Sequence, residues 1–473
     1  MVRDVWGCWL KEGKVHSGEV IGFPDKKTGY PDRVRLTDFS GKNVLMLQGP
    51  MGPFFKRLAC DLSMHGAKVF KINFNGGDWV FFRKAQKNFG APLECWPDVF
   101  RMAVKEWHID AVFLYGDCRP VHARIVPVCE ELGVQIVTFE EGYVRSNFVT
   151  CENGRTNGHS GLPKSARYYL QNRLLPPAAL EIAPVGYTFR HQMFWSFLYH
   201  ASAFILGMFF PNGKKNYHRD LGLPEAVPQI RSFARKIKYR ILERRVLDIV
   251  HGELNGKYFL VPLQVADDSQ VVHHSNYGKN GVSKFIRDVI HSFSKYSSSE
   301  SFLIFKHHPY DRGYNDYGRL IEQLTARFGV SGRVFYIHDQ PLPDLLDHAK
   351  GVIVINSTTG LQALTHGRPV KVCGKAIYDL PGLTYRGSLE KFWADAGDFH
   401  IDETLLEQFI SHVIARTQLV GSFYKRHPQA VLKCGLVWSD GFQDGRDSDG
   451  RLMDPAHLFS SGVAEEKSVH VMQ

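Results

Sequence analysis

Four stretches carry residue types that could do chemistry, and each follows an apolar run. In "VPLQVADDSQVVHHS" (261–275) a strand-like run containing Gln264 ends in Asp267 and Asp268, with Ser269, Gln270, His274 and Ser275 beyond. In "TFEEGYVR" (138–145) a second apolar run ends in Glu140 and Glu141, then Gly142. Side chains alternate across a strand, so two neighbouring acids cannot share a direction; one can face a cleft at the strand's carboxyl end. A solvated turn is the plain alternative for an isolated acid pair. Two carboxyl groups across a sugar-sized gap suit glycosyl chemistry, one as nucleophile and the other as acid or base. Glu141, next to the glycine turn, is the preferred acid/base, although alternation permits Glu140.

Two further stretches suit an anion. In "VIVINSTTGLQALTHGRPV" (352–370) a strand empties into Asn356, Ser357, Thr358, Thr359 and Gly360 before a short helix. Hydroxyls there cap orphan amides, the helix start attracts negative charge, and glycine lets the backbone come close. Capping alone would explain the hydroxyls, but a short helix leading straight to another strand suits a nucleotide better. In "IFKHHPYDRG" (304–313) Lys306, His307 and His308 stand at a strand's end, and Pro309 turns the chain. A phosphate or a cytidine moiety is a sensible guest. Adjacent histidines point to opposite faces, so no metal pair is expected. The turns "LQGPMGPFF" (47–55) and "NFNGGDW" (73–79) place Gly49, Gly52, Gly76, Gly77 and Asp78 after the first two strands. There a substrate could approach the backbone, but neither turn has a dinucleotide or P-loop spacing.

The elements that must position these groups are strands alternating with helices. Strands are expected at 43–47, 67–74, 110–116 and 134–139, and again at 257–265, 301–309, 333–339, 351–357 and 368–374. Such alternation predicts an α/β protein of two Rossmann-like lobes with a central cleft, the glycosyltransferase B type of arrangement. The expected order is a leader (1–42), a first lobe for the acceptor (43–190), an apolar and basic connecting segment (191–250), a second lobe for the donor (251–438) and a disordered tail (439–473).

Length and composition agree. A chain of 473 residues exceeds one ordinary core. Hydrophobic residues make up 44% and charged ones 22%, a globular balance. The net charge of +10 favours anionic partners, but no arginine-rich block points to nucleic acid. Eight scattered cysteines contain no C-x-x-C pair, which suggests neither a zinc site nor a disulfide scaffold and fits a reducing cytoplasm. No secretory signal is expected from the amino terminus. "MFWSFLYHASAFILGMFF" (193–210) leaves three readings open: a membrane span, an interfacial helix or a core helix. The basic stretch 231–245 carries Ile237, Ile241 and Val246 as a helical stripe beside it.

Together these stretches resemble the capsule polysaccharide biosynthesis/export family of the KpsS/LipB type. The resemblance runs from about Asn43 to Tyr424 and includes, in order, "LQGPMGPFF", "NFNGGDW", "FLYGDCRPVH", "FEEGY", "TNGHS", "NYHRD", "LQVADDSQ", "KHHPYDRGYNDY", "NSTTGLQALTHGRPV" and "GSFY". It implies a retaining transferase of 3-deoxy-D-manno-octulosonate (Kdo) from CMP-β-Kdo, serving capsule or lipopolysaccharide. The acceptor implied is a lysophosphatidylglycerol-type anionic lipid at the cytoplasmic face of the inner membrane. A second Kdo transferase and a polysaccharide ABC exporter are the implied partners. Carried over by position, His308, Pro309, Ser357, Thr358 and Thr359 would hold the CMP. Glu140 and Glu141 would supply the acid/base, and Asp268 the nucleophile. Lys306, Asn356, Gly360, Gln264, Ser269, Gln270 and His274 complete the implied donor site. Gly49, Gly52, Gly76, Gly77, Asp78 and Asn157 form the implied acceptor site. The sequence departs from the family at Asp267, which duplicates the acid and leaves either aspartate open as nucleophile. It departs also at His159, where an asparagine is expected, and in its long leader. CMP is a good leaving group, so no cofactor and no metal is expected. A non-catalytic export component, a sugar-nucleotide epimerase and a phospho-alcohol polymerase are the competing classes.

Overall fold

The computed structural model describes residues 33–144, 147–174, 185–213, 226–278 and 280–438. The leader up to residue 32, Arg145, "NYHRD" (216–220) and the tail from 439 lie outside them, as does the Ser269 side chain.

The first lobe contains β1 (Asn43–Met46), β2 (Lys68–Asn73), β3 (Lys87–Asn88), β4 (Ala111–Tyr115), β5 (Gln135–Glu141) and β6 (Phe148–Asn153). Every residue of β4 is buried, as expected of a central strand covered on both faces. The second lobe contains β7 (Tyr258–Pro262), β8 (Phe302–Lys306), β9 (Val334–Ile337), β10 (Gly351–Val354) and β11 (Val370–Val372). A last strand, β12 (Gln418–Val420), follows the long helix Glu403–Thr417. The first sheet runs β12-β6-β5-β4-β1-β2-β3, parallel except that β6 pairs antiparallel with both β5 and β12. The second sheet, β11-β10-β7-β8-β9, is parallel throughout. In open parallel sheets ligands gather at the strands' carboxyl ends, and the polar stretches emerge there from β5, β7, β8 and β10.

The chain therefore returns to the first lobe after building the second. Phe423, Tyr424, Leu436 and Trp438 complete the core formed by Phe54, Phe55, Phe113 and Phe139. The Asp61 carboxylate on the helix Phe54–Met64 accepts hydrogen bonds from the backbone N–H of Lys433 (2.9 Å) and Cys434 (2.7 Å). The second lobe was expected to run to residue 438; residues from Gln418 on belong to the first. No sequence period marks such a return, because β12 is three residues long.

The connecting segment divides between the lobes. The helix Phe189–Ile205 lies on the first lobe, where its Tyr199 hydroxyl donates to Asp78 Oδ1 (2.9 Å) and accepts from Asn75 Nδ2 (2.8 Å). The indole N–H of Trp195 donates to the Tyr424 carbonyl at 3.1 Å. The helix Ala226–Leu242 belongs to the second lobe, with Arg235 donating to the carbonyls of Arg312 (2.7 Å) and Asn315 (3.1 Å). No helix among the described residues is long and apolar enough to cross a membrane.

This packing corrects part of the expected acceptor site. A Cβ on Gly76 would lie 2.6 Å from both Leu206 Cβ and the Ser202 carbonyl oxygen, and one on Gly77 would lie 2.8 Å from the Tyr199 ring. Gly52, at φ +122°, faces Trp195, and the buried Asp78 also accepts from the Phe74 N–H at 3.0 Å. The three glycines make room for a helix of the same chain, and Asp78 accepts a hydrogen bond from it. Gly76→Ala should therefore cost about 1–3 kcal/mol by overpacking, read as a lower urea midpoint at unchanged m-value; an unchanged midpoint would mean that the helix does not seat on this turn.

Candidate active site

On the second lobe, Asp268 caps the short helix Ser269–His273: its Oδ1 accepts from the Gln270 N–H at 2.9 Å. Its Oδ2 accepts from Gln264 Nε2 at 3.2 Å. Gln264 is itself fixed by Asn356, whose Oδ1 accepts from Gln264 Nε2 (3.1 Å) and whose N–H donates to Gln264 Oε1 (3.4 Å). Asn356 Nδ2 reaches on to the carbonyls of Gln270 (2.8 Å) and His274 (3.2 Å). Gln264 and Asn356, expected to touch the donor, thus commit their polar atoms to holding the Asp268 turn on the sheet. Asp267, next to it, is exposed, and its charge, behind burial and Asp311, adds to the upward push on the Tyr317 phenol.

On the first lobe, both glutamates remain inside β5, paired with Thr150 and Val149 of β6. Strand alternation sends them to opposite faces. Glu141 Oε1 accepts from the Tyr115 hydroxyl (3.2 Å) and the Tyr424 hydroxyl (3.0 Å). Burial pushes both phenols well above their ordinary range, so they remain donors. Glu140 turns to the other face, close to Gly116 and Arg119. Burial raises its carboxyl to about 7, and the charges of Glu141 and Asp268 add to the rise, against the Glu141 N–H and Arg119. Glu140 is half-buried, with its carboxylate over Gly116 beside Arg119. Arg119 is braced by Gln48 Oε1 (3.2 Å) and the Gly49 carbonyl (3.1 Å), with its guanidinium 4.7 Å from the Tyr115 ring centre.

The two histidines after β8 part as alternation requires. His307 turns inward, bonds the Tyr336 hydroxyl (2.6 Å), and is pushed down to about 3 by burial and His338. His308 stays half-buried at the head of the turn Pro309–Asp311, its Nδ1 accepting from the Tyr310 N–H at 3.2 Å. Burial lowers Lys306 to about 8, with Asp339 opposing, so the ammonium is still mostly charged at neutral pH. After β10, Ser357 Oγ accepts from the Thr359 N–H (3.2 Å) and donates to Thr359 Oγ1 (3.1 Å); Thr358 is half-buried beside them. Gly360 does not open the backbone to a ligand. Its missing side chain makes room for Tyr378, whose hydroxyl donates to the Ser357 carbonyl.

Another group was not singled out for chemistry in the sequence. Asp117, buried just after β4, accepts from Arg155 Nε (2.7 Å) and Thr156 Oγ1 (3.4 Å) and meets His159 Nδ1 at 3.0 Å. His274, expected at the donor, comes instead against the first lobe, its Nε2 3.4 Å from Cys118 Sγ and its ring 4.3 Å from that of His159. Burial lowers His274 to about 4 and, with Asp117, raises Cys118 to about 12. Asn157, in the left-handed region at φ 59°, donates its N–H to the Tyr143 hydroxyl at 2.6 Å, which fixes the loop carrying His159. The available signal was "GDCR" at a strand's carboxyl end, although its partners lie about 40 and 155 residues away.

Two Rossmann-like lobes that bring acids and cations together at their strand ends form the glycosyltransferase B type of arrangement. Residues 110–424 match the family model of capsule polysaccharide biosynthesis proteins, and the chain belongs to this family. It is 37% identical to the capsule polysaccharide export protein KpsS of Escherichia coli, over 81% of this chain and 97% of that protein. It is 34% identical to the capsule polysaccharide modification protein LipB of Neisseria meningitidis serogroup B, over 82% of this chain and 93% of that one. Among solved structures, the β-Kdo 2,7 transferase KpsC of Thermosulfurimonas dismutans aligns with 80% of this chain and 92% of its own, at 15% identity and a TM-score of 0.36.

The raised carboxyl of Glu140 has a defined sign. An acid whose folded pKa lies above its unfolded value contributes stability at low pH and loses it as pH rises through about 7. Glu140→Gln, which carries no charge, should gain on the parent in urea midpoint at pH 8, and the gain should shrink toward pH 5. A difference independent of pH would show that Glu140 is not raised.

Proposed function

We propose that the chain is a retaining glycosyltransferase of capsule or related surface-polysaccharide assembly. It transfers Kdo from CMP-β-Kdo to an anionic lipid acceptor of the lysophosphatidylglycerol type. The observation that supports this reading most is the placing of two acids on lobes that meet where His274 reaches Cys118: Asp268, held by Gln264 and the Gln270 N–H, on one, and Glu140, beside Arg119 at the end of β5, on the other.

In this reading Asp268 attacks the anomeric carbon while the bond to the CMP phosphate breaks, and CMP leaves with the electron pair. Its hydrogen bonds from Gln264 and the Gln270 N–H fix the carboxylate for attack. Glu140 then takes the proton of the acceptor hydroxyl, whose oxygen displaces Asp268; two displacements retain configuration. Lys306, His308 and the Ser357–Thr359 hydroxyls serve the departing phosphate, and Arg119 serves the carboxylate on the Kdo anomeric carbon. Glu141, engaged by two tyrosines, positions the strand. The preference for Glu140 over Glu141 rests on this difference of partners.

The acceptor would come from a bilayer surface. The helix Phe189–Ile205 and the turn after it leave Phe197, Ile205, Met208 and Phe209 exposed. On the helix Ala226–Leu242, Ile230, Phe233, Ile237 and Ile241 form an exposed row near the exposed Lys238 and Arg240. Apolar rows beside cations suit the face of an anionic membrane. The reading places the protein on the cytoplasmic face of the inner membrane, without spanning it.

Two experiments test this. Asp268→Ala should fold, bind CMP and lose transfer, while CMP-Kdo given to the parent should leave a Kdo adduct on the peptide containing residues 267–268. Glu140→Gln should still form the adduct but turn it over about 10²–10⁴-fold more slowly, with Glu141→Gln affected less. Inverted product, or full activity in Asp268→Ala, would refute the double displacement. Separately, the protein should float with acidic liposomes at low salt and be released as salt rises; equal flotation with neutral liposomes would remove the electrostatic role.

A further inference from the structure

Asp117, Cys118 and His159 from the first lobe and His274 from the second bring one carboxylate oxygen, one sulfur and two imidazole nitrogens within 4.8 Å of one another. None of them has a part in the displacement described above. Cys118 Sγ and His274 Nε2 are 3.4 Å apart, and His159 Nδ1 and Asp117 Oδ2 are 3.0 Å apart. A tetrahedral ion with bonds of about 2.3 Å to sulfur and about 2.0 Å to nitrogen or oxygen holds such pairs about 3.5 and 3.3 Å apart. These two pairs thus differ from those of a filled site by a few tenths of an ångström, and the other pairs, all within 4.8 Å, close by a modest inward movement when an ion is bound.

The chemistry of the donors selects the ion. Magnesium and calcium take oxygen ligands, whereas a thiolate with two imidazoles and one carboxylate suits zinc. The surroundings are those of a ligand shell. Arg155 Nε and the Thr156 hydroxyl hold the Asp117 carboxylate, as outer partners of metal-bound carboxylates do. Gly158 has no side chain where a Cβ would strike the His274 ring, so the imidazole of the second lobe can enter the loop of the first.

We infer that this cluster binds one zinc-type divalent cation, held by Asp117, Cys118 and His159 of one lobe and His274 of the other, which clasps the two lobes together beside the cleft. Binding replaces the Cys118 thiol proton, released to solvent, by a sulfur–metal bond. Three of the ligands move with the first lobe, so opening the cleft stretches or breaks the bond to His274.

The inference stands independently of the transfer reading, and its test uses neither donor nor acceptor. The full chain, stripped with a chelator, is titrated with Co²⁺ and then competed with Zn²⁺. One cobalt per chain is expected, with the intense visible bands of four-coordinate cobalt and a sulfur-to-cobalt charge-transfer band, all abolished by zinc. Cys118→Ser should lose the charge-transfer band, and His274→Ala should weaken binding by more than the ~10–100-fold typical of an outer partner. Comparing the thermal unfolding of the stripped variants and parent separates a lost ligand from a lost fold; if His274→Ala does not fold, the Cys118→Ser spectrum decides. Asp268→Ala should bind cobalt like the parent. No saturable binding, the weak bands of six-coordinate cobalt, or a Cys118→Ser spectrum identical to the parent's would overturn the site and leave Asp117 and His159 as an ordinary hydrogen-bonded pair.

Discussion

The cleft depends on β5 remaining a regular strand through two adjacent glutamates. Pairing with β6 keeps Glu140 and Glu141 in extended geometry, so their side chains must diverge. One face holds Phe139 in the aromatic core, and Glu141 on that face is accommodated by the phenols of Tyr115 and Tyr424. The other face carries Glu140 toward Gly116 and Arg119. A bulge that put both acids on one side would bury two like charges together, or place neither at the cleft. The division of labour between two chemically identical residues thus comes from backbone pairing.

On the opposite wall, order is imposed by amides instead of tyrosines. Gln264 and Asn356 leave β7 and β10 and bond each other, and through each other they hold Asp268 and the carbonyls of the turn behind it. An aspartate that caps its own short helix has little freedom, since Gln270 N–H and Gln264 Nε2 occupy both its oxygens. Such restraint suits the role of nucleophile proposed for Asp268, which would have to reach a carbon along one line. Each lobe thus holds one acid in a fixed geometry, Glu140 inside β5 and Asp268 at the helix cap that follows β7.

Local periodicity made most of the strands readable: the apolar runs at 43–47, 67–74 and 110–116 became strands within a residue at each end, whereas those at 257–265, 301–309 and 351–357 end three residues early, where the polar site residues begin. The separation of His307 from His308 was likewise legible, because alternation needs only two neighbours. What could not be read was anything decided at a distance. Gly76 and Gly77 looked like places for a substrate because the sequence does not show that Leu206 and Tyr199 will cover them. Gly360 invited the same reading until Tyr378 filled its space. Asn356 and Gln264 looked like ligands because a side-chain amide has the same donors and acceptors whether it meets a nucleotide or another amide. The choice between Glu140 and Glu141 turned on Tyr424, which lies nearly three hundred residues further on. Asp117 and Cys118 gather their neighbours from two distant stretches, 155–159 and the turn at His274.

The return of the chain through β12 also governs the order in which the molecule can be finished. β6 leaves the ribosome well before its second neighbour, since some 260 residues of connecting segment and second lobe must be made between Asn153 and Gln418. At ordinary synthesis rates that interval is on the order of tens of seconds. Throughout it one side of β6 is an open edge, and the place of Phe423, Tyr424 and Trp438 in the core stands empty. The lobe that is begun first is therefore completed last, and the Tyr424 hydroxyl that fixes Glu141 arrives only with its closing segment. A nascent chain of this design has its second lobe ready before its first, and no half of it is a finished domain until nearly all of it has been made.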